Sequence, residues 1–277
     1  YNTNILTTII TRDENKFFLE NPHHKDNKLL KIIQMDILDL KKITHKFDFL
    51  LHMAATSASE TFNGETDNNK TKTLFNGTKN IMEIAVKNNI SKILFTSSGV
   101  VYGPSSKDMI DESYTSHSLD LEKRNGLAKG KILAEDIISN LSLKNNINFK
   151  IARCFSFVGP YLPLNIHYAI GNFINDAIFK DEIIINGNGS PYRSYLYISD
   201  TLIWLIKLLV GKEEGVEEAL AFTEIHTANS SGNGAADSNR TDIARLVFRD
   251  CSDSGCIEEL VRYWVKRVGC QVVEGLG

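Results

Sequence analysis

Two arginines, four cysteines and one histidine are the first side chains to weigh for chemistry. Arg193 follows the Gly-rich turn GNGSPY at 187–192. Such a turn brings backbone close to a ligand, and a guanidinium grips phosphate oxygens two at a time, so Arg193 is a candidate phosphate clamp. Arg12 stands at the end of the β-branched run ILTTIIT with Asp13 beside it. It either meets a phosphate at a strand end or pairs with Asp13. Cys154, Cys251, Cys256 and Cys270 are too few and too unevenly placed for a disulfide framework in 277 residues. Cys251 and Cys256 lack a second ligand pair, so no metal is expected. His167 is isolated and reads as structural.

The elements that must position such groups alternate along the chain. Short apolar runs (ILTTIIT, KIIQMDI, DFLLHMAA, KILFTSS, NFKIARCF) are interleaved with the helical patterns NGTKNIMEIAVKNN and GKILAEDIISNLSLK. Strands apolar on both faces, separated by helices, imply βα units and a doubly wound, Rossmann-like parallel α/β sheet. From about Pro160 a Gly/Pro/Tyr-rich stretch follows, with helix-like AIGNFINDAIFK and strand-like EIIING and SYLYIS. Beyond Gly211 arginine replaces lysine, and three of the four cysteines and the linker-like TANSSGNGAADSNRTD lie there. That tail is either a surface loop with a C-terminal helix over 258–268 or a segment of foreign origin.

Composition narrows the class. With 42% hydrophobic and 23% charged residues the chain can bury a core, and its net charge of -3 mixes both signs, so no nucleic-acid partner is expected. No apolar window reaches the length of a membrane span, and the start shows no secretory pattern, so a cytoplasmic protein is expected. NxS/T triplets such as Asn76-Gly-Thr are expected by chance in an Asn-rich chain.

Five blocks, in order from about Ile9 to Leu209, resemble the extended short-chain dehydrogenase/reductases known as the NAD-dependent epimerase/dehydratase family. They are Asp36-Ile37, the strand end His52-Met53-Ala54-Ala55, FTSSGVVYG at 95–103, GLAKGKILAE at 126–135, and RCFSFVGP at 153–160 with GNGSPYRSYLYISD at 187–200. The resemblance implies NAD or NADP as cofactor, held by Arg12, Asp36, Ile37, Met53, Ala54, Ala55, Lys131 and Phe155. It implies a nucleotide-diphosphate sugar as substrate, held by Ser98, Ser156, Asn172 and Arg193. Residues 1–155 would form the cofactor domain, 156–211 the sugar-binding region and 212–277 the divergent tail. Arg12, where an acidic residue would bind the ribose hydroxyls, leans toward NADP.

In the family a tyrosine takes the hydroxyl proton, a lysine four residues on lowers the tyrosine pKa, and a Ser/Thr orients the substrate oxygen. The matching positions here are Ser98 and Lys131, but the tyrosine position is Leu127. Shifting the frame to Lys129 offers only Asn125, and Tyr114 is a remote substitute. The Gly-rich turn that would follow a first strand is also missing, because the opening strand resembles the family's second. A truncated sheet with a central gap is therefore expected. Ser98-Gly99-Val100 lacks the acidic residues of dehydratases, leaving C4 epimerisation or 4-keto-sugar reduction, in surface polysaccharide synthesis. The alternatives are an inactive relative that binds nucleotide or a partner, or a fragment without function. Family members often pair through two long helices, so a homodimer is an expectation, although packing on the sheet explains the same apolar faces.

Overall fold

The structure, a computed structural model, describes residues 5–40, 43, 46–56, 60, 63–103, 112, 114, 121–164, 166, 168–185, 195–211 and 219–221. Arg193 and its Gly-rich turn, His167, the three distal cysteines, the linker-like stretch and the segment 258–268 lie outside them.

The expected alternation is present. Strands β1 (Thr7–Thr11) and β2 (Leu30–Gln34) flank helix α1 (Glu14–Glu20), and β3 (Phe49–His52) leads to the long helix α2 (Asp67–Lys87). Strand β4 (Lys92–Ser98), helix α3 (Gly126–Asn145) and strand β5 (Asn148–Cys154) complete the central crossover. Then come β6 (Ser156–Val158), α4 (Ala169–Phe179), β7 (Tyr195–Tyr197), α5 (Ile198–Val210) and β8 (Ala219–Ala221).

All strand pairs are parallel, and they fall into three sheets ordered β1-β2, β3-β4-β5-β8 and β6-β7. Among the described residues β1 pairs only with β2, and β3 only with β4, so the sheet divides where the sequence leads one to expect a gap.

The main core forms where α2 and α3 press on β4 and β5. Met82 and Ala85 meet Ala134 and Ile138 over Ile93, Phe95, Phe149 and Ile151, all buried. Burying a side chain of this size contributes about 1.5–3 kcal/mol. The two helices come close because Gly130 has no side chain, and a Cβ there would crowd Leu74. The opposite face of the sheet is covered by α5, whose Leu205 packs with Leu94, Ala152 and Cys154. This helix is apolar almost all round, so no polar face announces it in the sequence. Helix α5 and strand β8 lie on either side of the expected boundary at 211, and both join the main sheet. The stretch 182–185 of the strand-like EIIING is irregular here, with Ile183 and Ile185 packed against Phe173, Ile174 and Ala177 of α4.

Helices α2 and α3 end in the same way. Asn89 and Asn146 adopt left-handed backbone with φ of 52° and 54°. The next residues, Ile90 and Ile147, donate their amides to Ala85 O and Ser142 O, each at 3.0 Å. Asparagine tolerates this conformation, and the six-residue closure satisfies the helix's last carbonyls.

Candidate active site

In a parallel sheet ligands bind beyond the carboxyl ends of the strands. Here that rim carries His52 of β3, Ser98 of β4 and Cys154 of β5, at the ends of aligned ladders. Three hydroxyls approach it on β4. Thr96 donates to His52 O at 3.4 Å, and Ser97 donates to a Glu135 carboxylate oxygen. Ser98 accepts only a local bond from Val100 N at 3.4 Å and stays half-buried at the rim. Of the three, its hydroxyl has no bond to another element among the described residues.

Two lysines of α3 compete for the cofactor role, and the structure separates them. Lys129 pairs with Glu122 at 2.7 Å on the surface. Lys131 is buried, donates to Thr96 O at 2.5 Å and lies 4.6 Å above the Phe95 ring. Burial lowers its pKa to about 8, opposed by the nearby Cys154 and Glu135. The structure thus brings Lys131 and Ser98 to one segment of β4. Burial pushes the Cys154 thiol up to about 11, so it is no nucleophile at neutral pH.

Leu127 is half-buried at the place of the expected tyrosine. Two phenols lie nearby in sequence. Tyr102 is buried, and burial raises its pKa against the lowering effect of the adjacent Arg153. Tyr114 packs on Tyr102 with ring centroids 6.3 Å apart.

Behind the rim, Arg153 and Glu135 form a nearly buried pair, with Nη2 to Oε2 at 2.8 Å and Nε to Oε1 at 3.2 Å. Burial alone would lower the Arg153 pKa, but the hydrogen bonds and charge of Glu135 hold it above the usual range. The guanidinium lies 4.8 Å from the Tyr102 ring. It therefore joins α3, β4, β5 and the loop after Ser98. Sequence reasoning missed this pair, since a Glu and an Arg 18 positions apart carry no local pattern.

The other expected contacts divide. Phe155 is 40% exposed, stacks on Tyr102 at 6.2 Å and covers Gly99, where a Cβ would overlap its ring. Met53 is 51% exposed just past β3, followed by Ala54 and Ala55. Asp36 accepts from Leu38 N at 2.8 Å, and the carbonyl of Ile37 accepts from Asn80 of α2 at 2.9 Å. Asn80 is a second contact the sequence did not announce. Arg12 pairs with Glu60 at 2.7 Å, a hydrogen bond that raises its pKa. Asp13 does not pair with it but caps α1, accepting from Lys16 N at 2.8 Å. Ser156 lies in β6 opposite Tyr195. Asn172, with its amide turned to donate, reaches Ile166 O at 2.8 Å and Leu164 O at 3.2 Å, bracing the loop before α4.

A nicotinamide dinucleotide suits part of this rim. Met53 and Phe155 offer apolar surface, and Thr56 Oγ is buried without a partner just beyond Ala55. Among the described residues no group of three His, Cys, Asp or Glu could hold a metal, and no helix is long and apolar enough to cross a membrane.

Parallel strands joined by covering helices define a Rossmann-like α/β protein. The chain belongs to the NAD-dependent epimerase/dehydratase family, whose profile matches residues 2–220. It is 28% identical over 196 residues to UDP-glucuronic acid decarboxylase 4 of Arabidopsis thaliana, covering 70% of this chain and 43% of that protein. Among solved structures it is similar to a UDP-N-acetylglucosamine 4-epimerase from Methanobrevibacter ruminantium M1. That match has a TM-score of 0.65 and 24% identity, over 76% of this chain and 67% of that one. A UDP-glucuronic acid 4-epimerase from Bacillus cereus matches with a TM-score of 0.64 and 20% identity, over 77% and 68%. At these identities the structural likeness establishes the fold. The chain spans about two-fifths of the length of the Arabidopsis relative.

Proposed function

We propose that this chain acts on a nucleotide-diphosphate sugar by nicotinamide-linked redox chemistry, as a C4 epimerase or 4-keto-sugar reductase. The observation that carries this reading is that buried Lys131 donates to the carbonyl of Thr96, two residues before Ser98 on β4. When bound, NAD or NADP would supply hydride transfer at the sugar carbon. Lys131, Met53, Ala54, Ala55 and Phe155 would hold its nicotinamide half, and Asp36 and Ile37 its adenine. Arg12 would have to leave Glu60 to meet an added phosphate, which favours NAD over NADP.

Ser98 would orient the sugar hydroxyl, with Ser156, Asn172 and Arg193 holding the diphosphate and sugar. Lys131 in its charged form would hold the nicotinamide ribose. The named similarities all concern UDP-sugars, which makes a UDP-hexose or UDP-hexuronic acid the first substrate to try. Such a reaction would serve surface polysaccharide synthesis in the cytoplasm, carried out by a homodimer joined through α2 and α3.

Leu127 favours a second reading, an inactive relative that binds nucleotide, because leucine can neither take nor give a proton. Incubation with NAD and UDP-glucose, UDP-galactose or UDP-glucuronic acid, with products separated by chromatography, tests both. Turnover by the unaltered chain supports the enzyme. Turnover only after Leu127→Tyr supports the inactive relative. Nucleotide binding without turnover in either protein removes the enzyme reading.

A further inference from the structure

Helix α5 lies on the sheet yet is apolar on the side turned away from it. Leu205 is buried against Leu94, Ala152 and Cys154, whereas Leu202, Ile203, Trp204, Ile206 and Val210 are each about half exposed. A helix apolar all round belongs in an interior, and contiguous apolar surface on this scale marks a protein contact. The surface continues past the helix. Leu50 of β3 packs toward α2 and α3, so strand alternation turns Phe49 and Leu51, 45% and 39% exposed, to the α5 side, where Leu51 stands level with Leu94. The exposed area of these seven residues is of the order of the ~800 Å² that each partner gives to a stable interface.

The charges on the helix select what covers it. Asp200, Ile203, Trp204 and Lys207 fall at i, i+3, i+4 and i+7, which gives one face of α5 an acidic end, an apolar centre and a basic end. Lys207 is exposed, its ammonium 5.9 Å from the centre of the Trp204 ring, and Asp200 is half-buried. Such a face is its own complement. A second α5 laid antiparallel, with a two-fold axis passing between residues 203 and 204, sets Asp200 against the partner's Lys207 and Ile203 against the partner's Trp204, and each contact occurs twice. Laid parallel and in register, the same charges would oppose like to like. An aromatic and aliphatic centre flanked by paired charges is the anatomy of a protein–protein interface.

We propose that α5 is the contact surface of a homodimer in which two copies of this chain pack α5 against α5, antiparallel across a two-fold axis. The face is distinct from that of α2 and α3, which cover the other side of the sheet, and the inference is independent of any reaction the chain performs.

Sedimentation velocity of the full chain over a range of concentrations is the test. A reversible monomer–dimer equilibrium is expected, or a dimer–tetramer equilibrium should α2 and α3 pair as well. Lys207→Glu and Asp200→Lys, each shown to be folded by a cooperative melt, should weaken this step about tenfold or more, because like charges then face each other. Mixing the two variants should restore association, since every facing pair is again opposite in sign, and so should the double variant. A merely structural role for either residue predicts no such rescue. Should Asp200→Lys fail to fold, Trp204→Ser decides: a tenfold loss supports the interface, and unchanged association overturns it. In Trp264→Phe, Trp204 is the sole tryptophan, and its quenching by acrylamide should fall as the chain associates. A chain monomeric at every concentration, association indifferent to the charge changes or not rescued by mixing, or Trp204 already shielded in the monomer by another segment of its own chain would overturn the proposal.

Discussion

The two-stranded and four-stranded sheets are built from the same kind of strand, short, β-branched and parallel, yet they are held very differently. Strands β1 and β2 contain no fully buried residue, and Ile5, Leu6 and Leu29 beside them are exposed. Strands β4 and β5 bury nine of their fourteen positions, between α2 and α3 on one side and α5 on the other. Strand identity is therefore set by local sequence, while stability is set by what covers the strand. The β1-β2 pair gains support from α2 only through Ile10, Ile33 and their neighbours around Ile81 and Ile84.

The sharpest way to break this comparison is to truncate matching isoleucines. Ile93→Ala in β4 should cost about 4 kcal/mol, because a full side chain is removed from a closed core. Ile9→Ala in β1 should cost about 1 kcal/mol, the loss from a half-buried site. Urea melts of the two variants would measure both, and equal losses would show that the sheets fold as one unit.

Next in size is the pair behind the rim. Glu135→Gln should lower stability by about 3 kcal/mol, since Arg153 would keep its charge with most of its compensation gone. Denaturation monitored with the β1-β2 amides by hydrogen exchange would show whether the damage stays in the larger sheet.

The smallest effect is a pH dependence. Burial, and then the charge of Lys131, lower the His52 pKa from 6.5 to about 3. The unfolded chain therefore binds a proton below about pH 6.5 that the native chain refuses. Stability is complete above that range and falls as the pH drops toward 3. Between pH 7 and pH 5 the loss from this group should be about 2 kcal/mol. It should vanish in His52→Gln, which keeps a donor toward Thr78 Oγ1, 2.9 Å from the ring.

Much of this was legible in the sequence. Alternating apolar runs and amphipathic stretches gave the order of β1 to β5 and both long helices, because each depends on local periodicity. The family followed from five short blocks in order. What could not be read depends on contacts between distant residues. Asn80 reaches Ile37 across 43 positions, and the Arg153–Glu135 pair forms only once β5 is laid against α3. The expected strand near 183–185 failed because its isoleucines found an amphipathic helix to pack on instead of a sheet edge.

The matching ends of α2 and α3 act on the far side of the molecule from the rim. Each feeds directly into a strand, and the residues that open β3, β4 and β5 stand level, Phe49 with Lys92 and Lys92 with Asn148. Those two asparagine joints are the datum from which the strands are measured off. One extra residue in either would carry Ser98 or Cys154 about 3.3 Å along its strand and turn it to the opposite face. The length of a surface joint thus decides which side chains arrive at the ligand.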